Sequence, residues 1–188
     1  MRPSLRLVLA AALTAAAAQP MRAQQPAAAL PADLLTDVKQ VEKKMLGLAR
    51  AIPAEKFGWR PAPGVRSVGE VLMHVAADNY LLPSALGHAA DPATGIKDSD
   101  YKTAVAYEQR KLEPAATIAE LERSFAHLRK SLSATRPDRL GERVSMFGQT
   151  FTAQQTWLMT ATHLHEHLGQ LIAYARSNGV TPPWGQGG

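Results

Sequence analysis

Apolar positions recur at helical spacing in four stretches of the 188-residue chain. In the first, Leu34, Leu35, Val38, Val41, Met45, Leu46 and Leu48 form one stripe. It predicts a helix starting near Ala32 or Asp33 and stopping around Ala51, ahead of Pro53. The second starts at Ser67-Val68-Gly69-Glu70, where a serine three residues before a glutamate reads as a capping box. It runs on through Val71, Leu72, His74, Val75, Asp78 and Leu81 toward a bend at Pro83. A third opens on Thr117-Ile118-Ala119-Glu120, a second capping box, and reaches about Ala134 with Leu121, Phe125, Leu128 and Leu132 inward. The fourth is capped by Thr152 with Gln155 and carries Trp157, Leu158, Leu164, Leu168, Leu171, Ile172 and Tyr174. Asn178-Gly179 ends it as a left-handed terminator.

The segments between are of medium length. Residues 53–66 form a loop with Phe57, Trp59, Arg60, Pro61, Pro63 and Gly64, and residues 91–100 a polar connection. Residues 101–112 read as partly helical, and 136–149 as loop with a short strand-like pair around 143–151. No internal repeat is visible. The sum is an all-α protein, a four-helix bundle.

The N-terminus reads as a leader rather than part of the fold. Arg2 and Arg6 precede an apolar run over residues 7–18, with cuts expected after Ala18 or Ala23. That run falls short of the roughly 20 residues a spanning helix requires, and no later stretch reaches that length. An uncleaved anchor is the alternative, and no adjacent arginine pair marks a twin-arginine signal. The expected organisation is a signal peptide over 1–23, a flexible Ala/Gln/Pro linker over 24–31, a bundle domain over 32–183 and a disordered tail over 184–188. The protein is expected to be exported, periplasmic or secreted.

Charge changes once the leader is removed. The precursor carries a formal +5, and losing Arg2, Arg6 and Arg22 leaves +2. Basic residues are interleaved with acids, as in Glu42-Lys43-Lys44, so no stripe argues for nucleic acid. With no cysteine, the chain has no disulfide, thiolate ligand or thiol nucleophile. Any metal must be held by histidine and oxygen.

The candidate chemistry lies in His163-Leu164-His165-Glu166-His167-Leu168-Gly169-Gln170. His163 and His167 are four apart, so a helix stacks them on one face, where two imidazoles can grip a divalent ion. His74 on the second helix is available as a third ligand. Such pairs also arise by chance, each imidazole then finding an ordinary hydrogen-bond partner. His165 lies about 200° around from His163 and reads as surface or interface. Glu166, offset by about 100° from His167, is a weak candidate for ligand or base. Asp78, four after His74, suggests a carboxylate linked to that histidine. His88 and His127 lack helical partners and read as surface. Trp59 reads as a loop anchor, Arg60 as a surface cation, and Tyr80, Trp157 and Tyr174 as packing.

Phe57-Gly58-Trp59-Arg60-Pro61-Ala62-Pro63-Gly64-Val65-Arg66-Ser67-Val68-Gly69-Glu70-Val71-Leu72-Met73-His74 and the segment from His163 to Arg176 resemble the two signature regions of the DinB superfamily. Asn178-Gly179-Val180-Thr181-Pro182-Pro183 is similar to the end of that domain. The resemblance implies a four-helix bundle with one divalent metal on three histidines, which map onto His74, His163 and His167. It also implies frequent dimerisation, and it includes thiol-dependent transferases and a mycothiol-dependent maleylpyruvate isomerase. Members commonly carry a basic residue before Gly-Gln; here that position is Leu168.

The function expected is a metal-dependent enzyme acting on a small molecule, of thiol-transferase or hydrolase type. A metal on three neutral imidazoles keeps positions open for water or for a substrate thiolate. The cofactor is one divalent transition metal, zinc or nickel first, since imidazole suits several ions. Glu166 and Asp78 are the candidate proton acceptors. The alternatives are a bundle that holds metal or ligand without catalysis, and a metal-free interaction protein. A closed structural zinc site would need a fourth protein ligand, and the sequence offers no obvious one.

Overall fold

The computed structural model describes residues 29–98 and 100–184. The expected leader over 1–23, residues 24–28 of the linker and residues 185–188 of the tail lie outside the described residues. In chain order the elements are α1 (Leu30–Ala51), α2 (Val68–Ser84), α3 (Tyr101–Glu108), α4 (Pro114–Ala134), β1 (Arg143–Met146), β2 (Gln149–Thr152) and α5 (Ala153–Ser177). Four long helices make the bundle. The short α3 is the partly helical segment, and β1–β2 is the strand-like pair read from the sequence.

Leu34, Val38, Val41, Met45 and Leu48 succeed one another at steps of four, three, four and three residues, and all are buried. That spacing keeps one face of α1 on the core. The helix begins at Leu30, earlier than expected. Pro31 sits in the first turn, where its fixed φ suits a helix and its missing N–H is not needed. A residue assigned to the linker is thus part of the helix start.

α2 has the most central position, with thirteen of its seventeen residues buried. A helix apolar nearly all round must be enclosed, and α2 packs against α3, α4 and α5. The Ser67–Glu70 capping box that starts it is present in both directions. Gly69 lets the loop close on this helix: its amide donates to Phe57 O at 2.9 Å, and a Cβ there would meet that oxygen at 3.4 Å. α4 and α5 each pack on both α1 and α2. The first two helices therefore occupy opposite corners, and the loop over 53–66 crosses an end of the bundle.

The second expected capping box is a correction. α4 starts at Pro114, and Thr117 already lies in its first turn, bonded through its hydroxyl to Leu112 O at 3.4 Å. Proline at the first position fixes the start four residues earlier than a threonine cap would. Glu120 instead accepts from Tyr107 and Arg123. α5 starts as expected, with Thr152 and Gln155 exchanging both capping bonds, and Gly179 follows its end at φ 74°.

Trp157, Phe125, Leu72, Leu121, Leu164 and Leu171 fill the centre with almost no exposure. Each such side chain contributes roughly 1.5–3 kcal/mol through burial. Leu158 departs from the inward set and is 41% exposed. Trp184, first residue of the expected tail, leans on α1, with Lys44 Nζ 5.8 Å from its ring centre. Among the described residues no helix is long and apolar enough to cross a membrane.

Candidate metal centre

α2 supplies His74 and α5 supplies His163 and His167, one helical turn apart, so the packing of these two helices makes the cluster. His163 Nε2 lies 3.2 Å from His74 Nε2 and 3.0 Å from His167 Nε2. Ligand atoms of the three residues all fall within 4.8 Å of one another. His167 is buried, and the other two are partly buried.

The outward nitrogens are held by two separate chains of hydrogen bonds. His74 Nδ1 donates to Glu108 Oε2 at 2.6 Å, and the same carboxylate accepts from Arg66 at 3.3 and 3.5 Å. His167 Nδ1 donates to Gln170 Oε1 at 2.8 Å. Gln170 Nε2 donates to Tyr174 Oη at 2.9 Å, and Tyr174 Oη donates to Arg66 O at 3.2 Å. Both chains end on Arg66, one on its guanidinium and one on its carbonyl. The residue before the α2 cap thus ties α3 and α5 to the histidines. Trp59 packs edge-on against Tyr174 at 5.2 Å, which fixes the second chain from the loop side.

These partners set the tautomers. With Nδ1 protonated on His74 and His167, their Nε2 atoms are acceptors facing the centre. Asp78 adds an oxygen there, its Oδ2 3.1 Å from His163 Nε2 and 3.6 Å from His74 Nε2. His163 Nε2 can offer a proton to only one of these three acceptors. A cation at the centre satisfies all the lone pairs at once, so the donor set fits a divalent metal with open positions.

Burial pushes the His167 imidazole below its ordinary value; the bond to Gln170 opposes this in part. A neutral ring is the form that ligates. Burial alone would raise the Glu108 carboxyl, but the bond and charge of His74, then the charge and bond of Arg66, hold it below the ordinary range.

The structure brings His74, His163 and His167 together. Asp78 joins them, but not as the outer carboxylate expected for His74. It faces the inward nitrogens, and Glu108 occupies the outer place. Glu166 is exposed and reaches the cluster only through its charge near His167. His165 pairs with Asp37 of α1 at 2.9 Å on the exposed side.

His88 and His127 require a correction, because both are half-buried. The turn after α2 folds back over α4, so that His127 stacks on Tyr80 at 5.2 Å and bonds the His88 backbone, while His88 lies 6.0 Å from Trp157. Their aromatic neighbours come from other elements, which helical spacing cannot show; on its own helix His127 Nε2 lies 3.5 Å from Ser131 Oγ.

Residues 37–171 match the family model of the DinB superfamily. The chain belongs to the DinB superfamily. The match includes all three clustered histidines. Solved structures with the same fold include the DinB-like protein YjoA from Bacillus subtilis, with TM-score 0.61 and 15% identity over 79% of this chain and 93% of that one. YfiT from Bacillus subtilis, described as a probable metal-dependent hydrolase with an unusual four-helix bundle topology, has TM-score 0.62 and 12% identity over 87% and 94%. A mycothiol-dependent maleylpyruvate isomerase has TM-score 0.60 and 19% identity over 83% of this chain and 63% of its own. No curated protein matches the sequence. In this DinB-superfamily chain Leu168 belongs to the core and is 5% exposed, so an apolar contact stands where members commonly carry a basic residue.

Three functional candidates were not legible beforehand. Gln170 follows His167 by three residues, and helical spacing could have flagged it. Glu108 is 34 residues from His74 on another helix, and no local pattern points to it. Arg66 reads in sequence only as a loop cation.

Proposed function

We propose that this chain binds one divalent transition metal through His74, His163 and His167 and hydrolyses a small-molecule substrate there. The observation that carries the reading is the cluster of three inward histidine nitrogens with the Asp78 carboxylate facing two of them, on His163 and His74. The likeness to YfiT supports the same class. The metal, when bound, supplies Lewis acidity toward a substrate oxygen and makes water more acidic.

Asp78 takes the proton released when water attacks, because its oxygen borders the centre and, among the described residues, meets only histidine nitrogens. Glu108 holds the His74 ring through Nδ1, and Gln170 does the same for His167. The rings thereby present their acceptor atoms without reorganising. Leu164, Leu168 and Leu171 close the bundle side and keep water to the open side.

A transfer of a low-molecular-weight thiol is the second reading, supported by likeness to the maleylpyruvate isomerase. We also propose export on the strength of the leader and dimerisation on the family resemblance. Elemental analysis of the untagged domain beside His163→Gln tests the core claim. One equivalent of metal in the first and none in the second is expected. No metal in either, and no uptake from a panel of divalent ions, sinks it. Thiol-independent turnover of ester or amide substrates then separates hydrolase from transferase.

A further inference from the structure

A second hollow lies away from the histidines. A cleft of about 800 Å³ opens on the other side of Glu108, between the loop over 53–66, the start of α2 and the segment joining α3 to α4. Neither the three histidines nor Asp78 line it. Its lining carries four cations, Arg60, Arg66, Arg110 and Lys111, against two carboxylates, Glu70 and Glu108.

Both carboxylates are already occupied. Glu70 accepts from the Ser67 amide at 2.8 Å and from Arg60 at 3.0 Å. Glu108 accepts from His74 and Arg66. The cations are less fully engaged. Arg110 lies over the Tyr107 ring at 4.3 Å and pairs with Glu120 at 3.3 Å. Arg66 uses one terminal nitrogen, on Glu108, and its remaining side-chain N–H groups have no acceptor among the described residues. Lys111 is exposed and makes no ion pair among the described residues. The floor is apolar: Phe57 is 7% and Met73 2% exposed, and Leu112 packs beside them. A net positive rim with unmatched donors above an apolar floor selects a ligand with one anionic head and an apolar body.

We propose that this cleft is a binding site for a small amphipathic carboxylate, its head on Arg66 and Lys111 and its body on Phe57 and Met73. The guanidinium fork of Arg66 fits a carboxylate's two oxygens, and the apolar floor excludes a bare inorganic anion as the preferred occupant. The site is separate from the histidine cluster and does not depend on metal being bound. Glu108 is the wall between them.

Calorimetric titration of the metal-free protein tests this apart from the metal reading. The probes are 4-phenylbutyrate, 4-phenylbutylamine and 4-phenylbutanol. The carboxylate is expected to bind one per chain, with the amine and alcohol roughly tenfold weaker or worse, as the loss of one charge-assisted bond implies. Lys111→Ala and Arg66→Ala are each expected to weaken the carboxylate about tenfold, the exposed Lys111 variant with unchanged melting temperature. Arg66→Ala keeps the carbonyl that accepts from Tyr174 but loses the ion pair with Glu108, so its melting temperature is read beside its affinity. Equal binding of all three probes, full affinity in both variants, or no heat from the carboxylate overturns the proposal.

Discussion

Glu108 Oε2 sits 2.6 Å from His74 Nδ1, and this contact decides which ring nitrogen of His74 is free to face the histidine cluster. The carboxylate accepts, so Nδ1 carries the proton and Nε2 keeps its lone pair. Arg66 holds the carboxylate in turn. Glu108→Ala is therefore expected to weaken metal binding by roughly 10–100-fold while the melting temperature of the metal-free protein barely moves. Glu108→Gln should fall between, because an amide carbonyl still accepts but carries no charge. Competition with a chelator of known affinity reads both. Wild-type affinity in the alanine variant would show that the contact has no influence on the site.

Gln170 does the same for His167 and is also bonded to Tyr174. Gln170→Leu removes both bonds and leaves the buried His167 Nδ1 without its acceptor. We expect weaker metal binding and a stability loss of about 1–3 kcal/mol, seen as a lower urea midpoint. Tyr174→Phe breaks only the outer bonds to Gln170 and Arg66, so its effect on metal affinity should be smaller than that of Gln170→Leu. The reverse order would refute the chain as drawn.

Asp78→Asn separates ligand from base. A base role predicts metal content unchanged and kcat down by about 10²–10⁴-fold. If metal and activity vanish together, Asp78 is a ligand instead.

His88 and His127 give a pH signature away from the site. Burial lowers the pKa of both from the ordinary 6.5, with Arg139 acting on His88 in the same direction. For His127 the bond to the His88 backbone opposes burial, and Lys130 reinforces it. Below 6.5 the unfolded chain takes up these protons before the native state does, so stability falls on acidification and is fully present above that value. His127→Gln is expected to flatten the fall of the unfolding free energy between neutral and mildly acid pH. An unchanged slope in that variant would locate the pH dependence elsewhere.

Phe147 has φ 53° and Gly148 φ 73° at the tip of the β1–β2 hairpin. Both angles are positive, as a type I′ turn requires, and a bulky residue in the first place is strained by about 1–2 kcal/mol. The ring is 50% exposed and touches Tyr101 edge-on at 5.8 Å, so little burial is lost on replacing it. Phe147→Asn is expected to stabilise the protein by about 1 kcal/mol, read from chemical denaturation. A destabilised variant would mean the Tyr101 contact outweighs the strain.

The sequence by itself determined the helices and the pairing of two histidines. The apolar stripe from Leu34 to Leu48, the Ser67–Glu70 and Thr152–Gln155 caps and the His163–His167 step are all local, set by 3.6 residues per turn. Local rules also misled at Thr117, where Pro114 sets the helix start first, and at Leu30 and Pro31, where a linker-like proline begins a helix. His74 entered the reading as a histidine available on the second helix, and the family resemblance gave it the same role, because no spacing near it marks it as a ligand. Only the tertiary structure decided what surrounds the histidines. It turned Asp78 inward, put Glu108 in the outer place, left Glu166 in solvent, half-buried His88 and His127 and brought both hydrogen-bond chains to Arg66. Those contacts join residues as far apart as Arg66 and Tyr174, whose meeting depends on how α2 and α5 pack. A helical period records which face is buried, not which residue of another helix lies across from it.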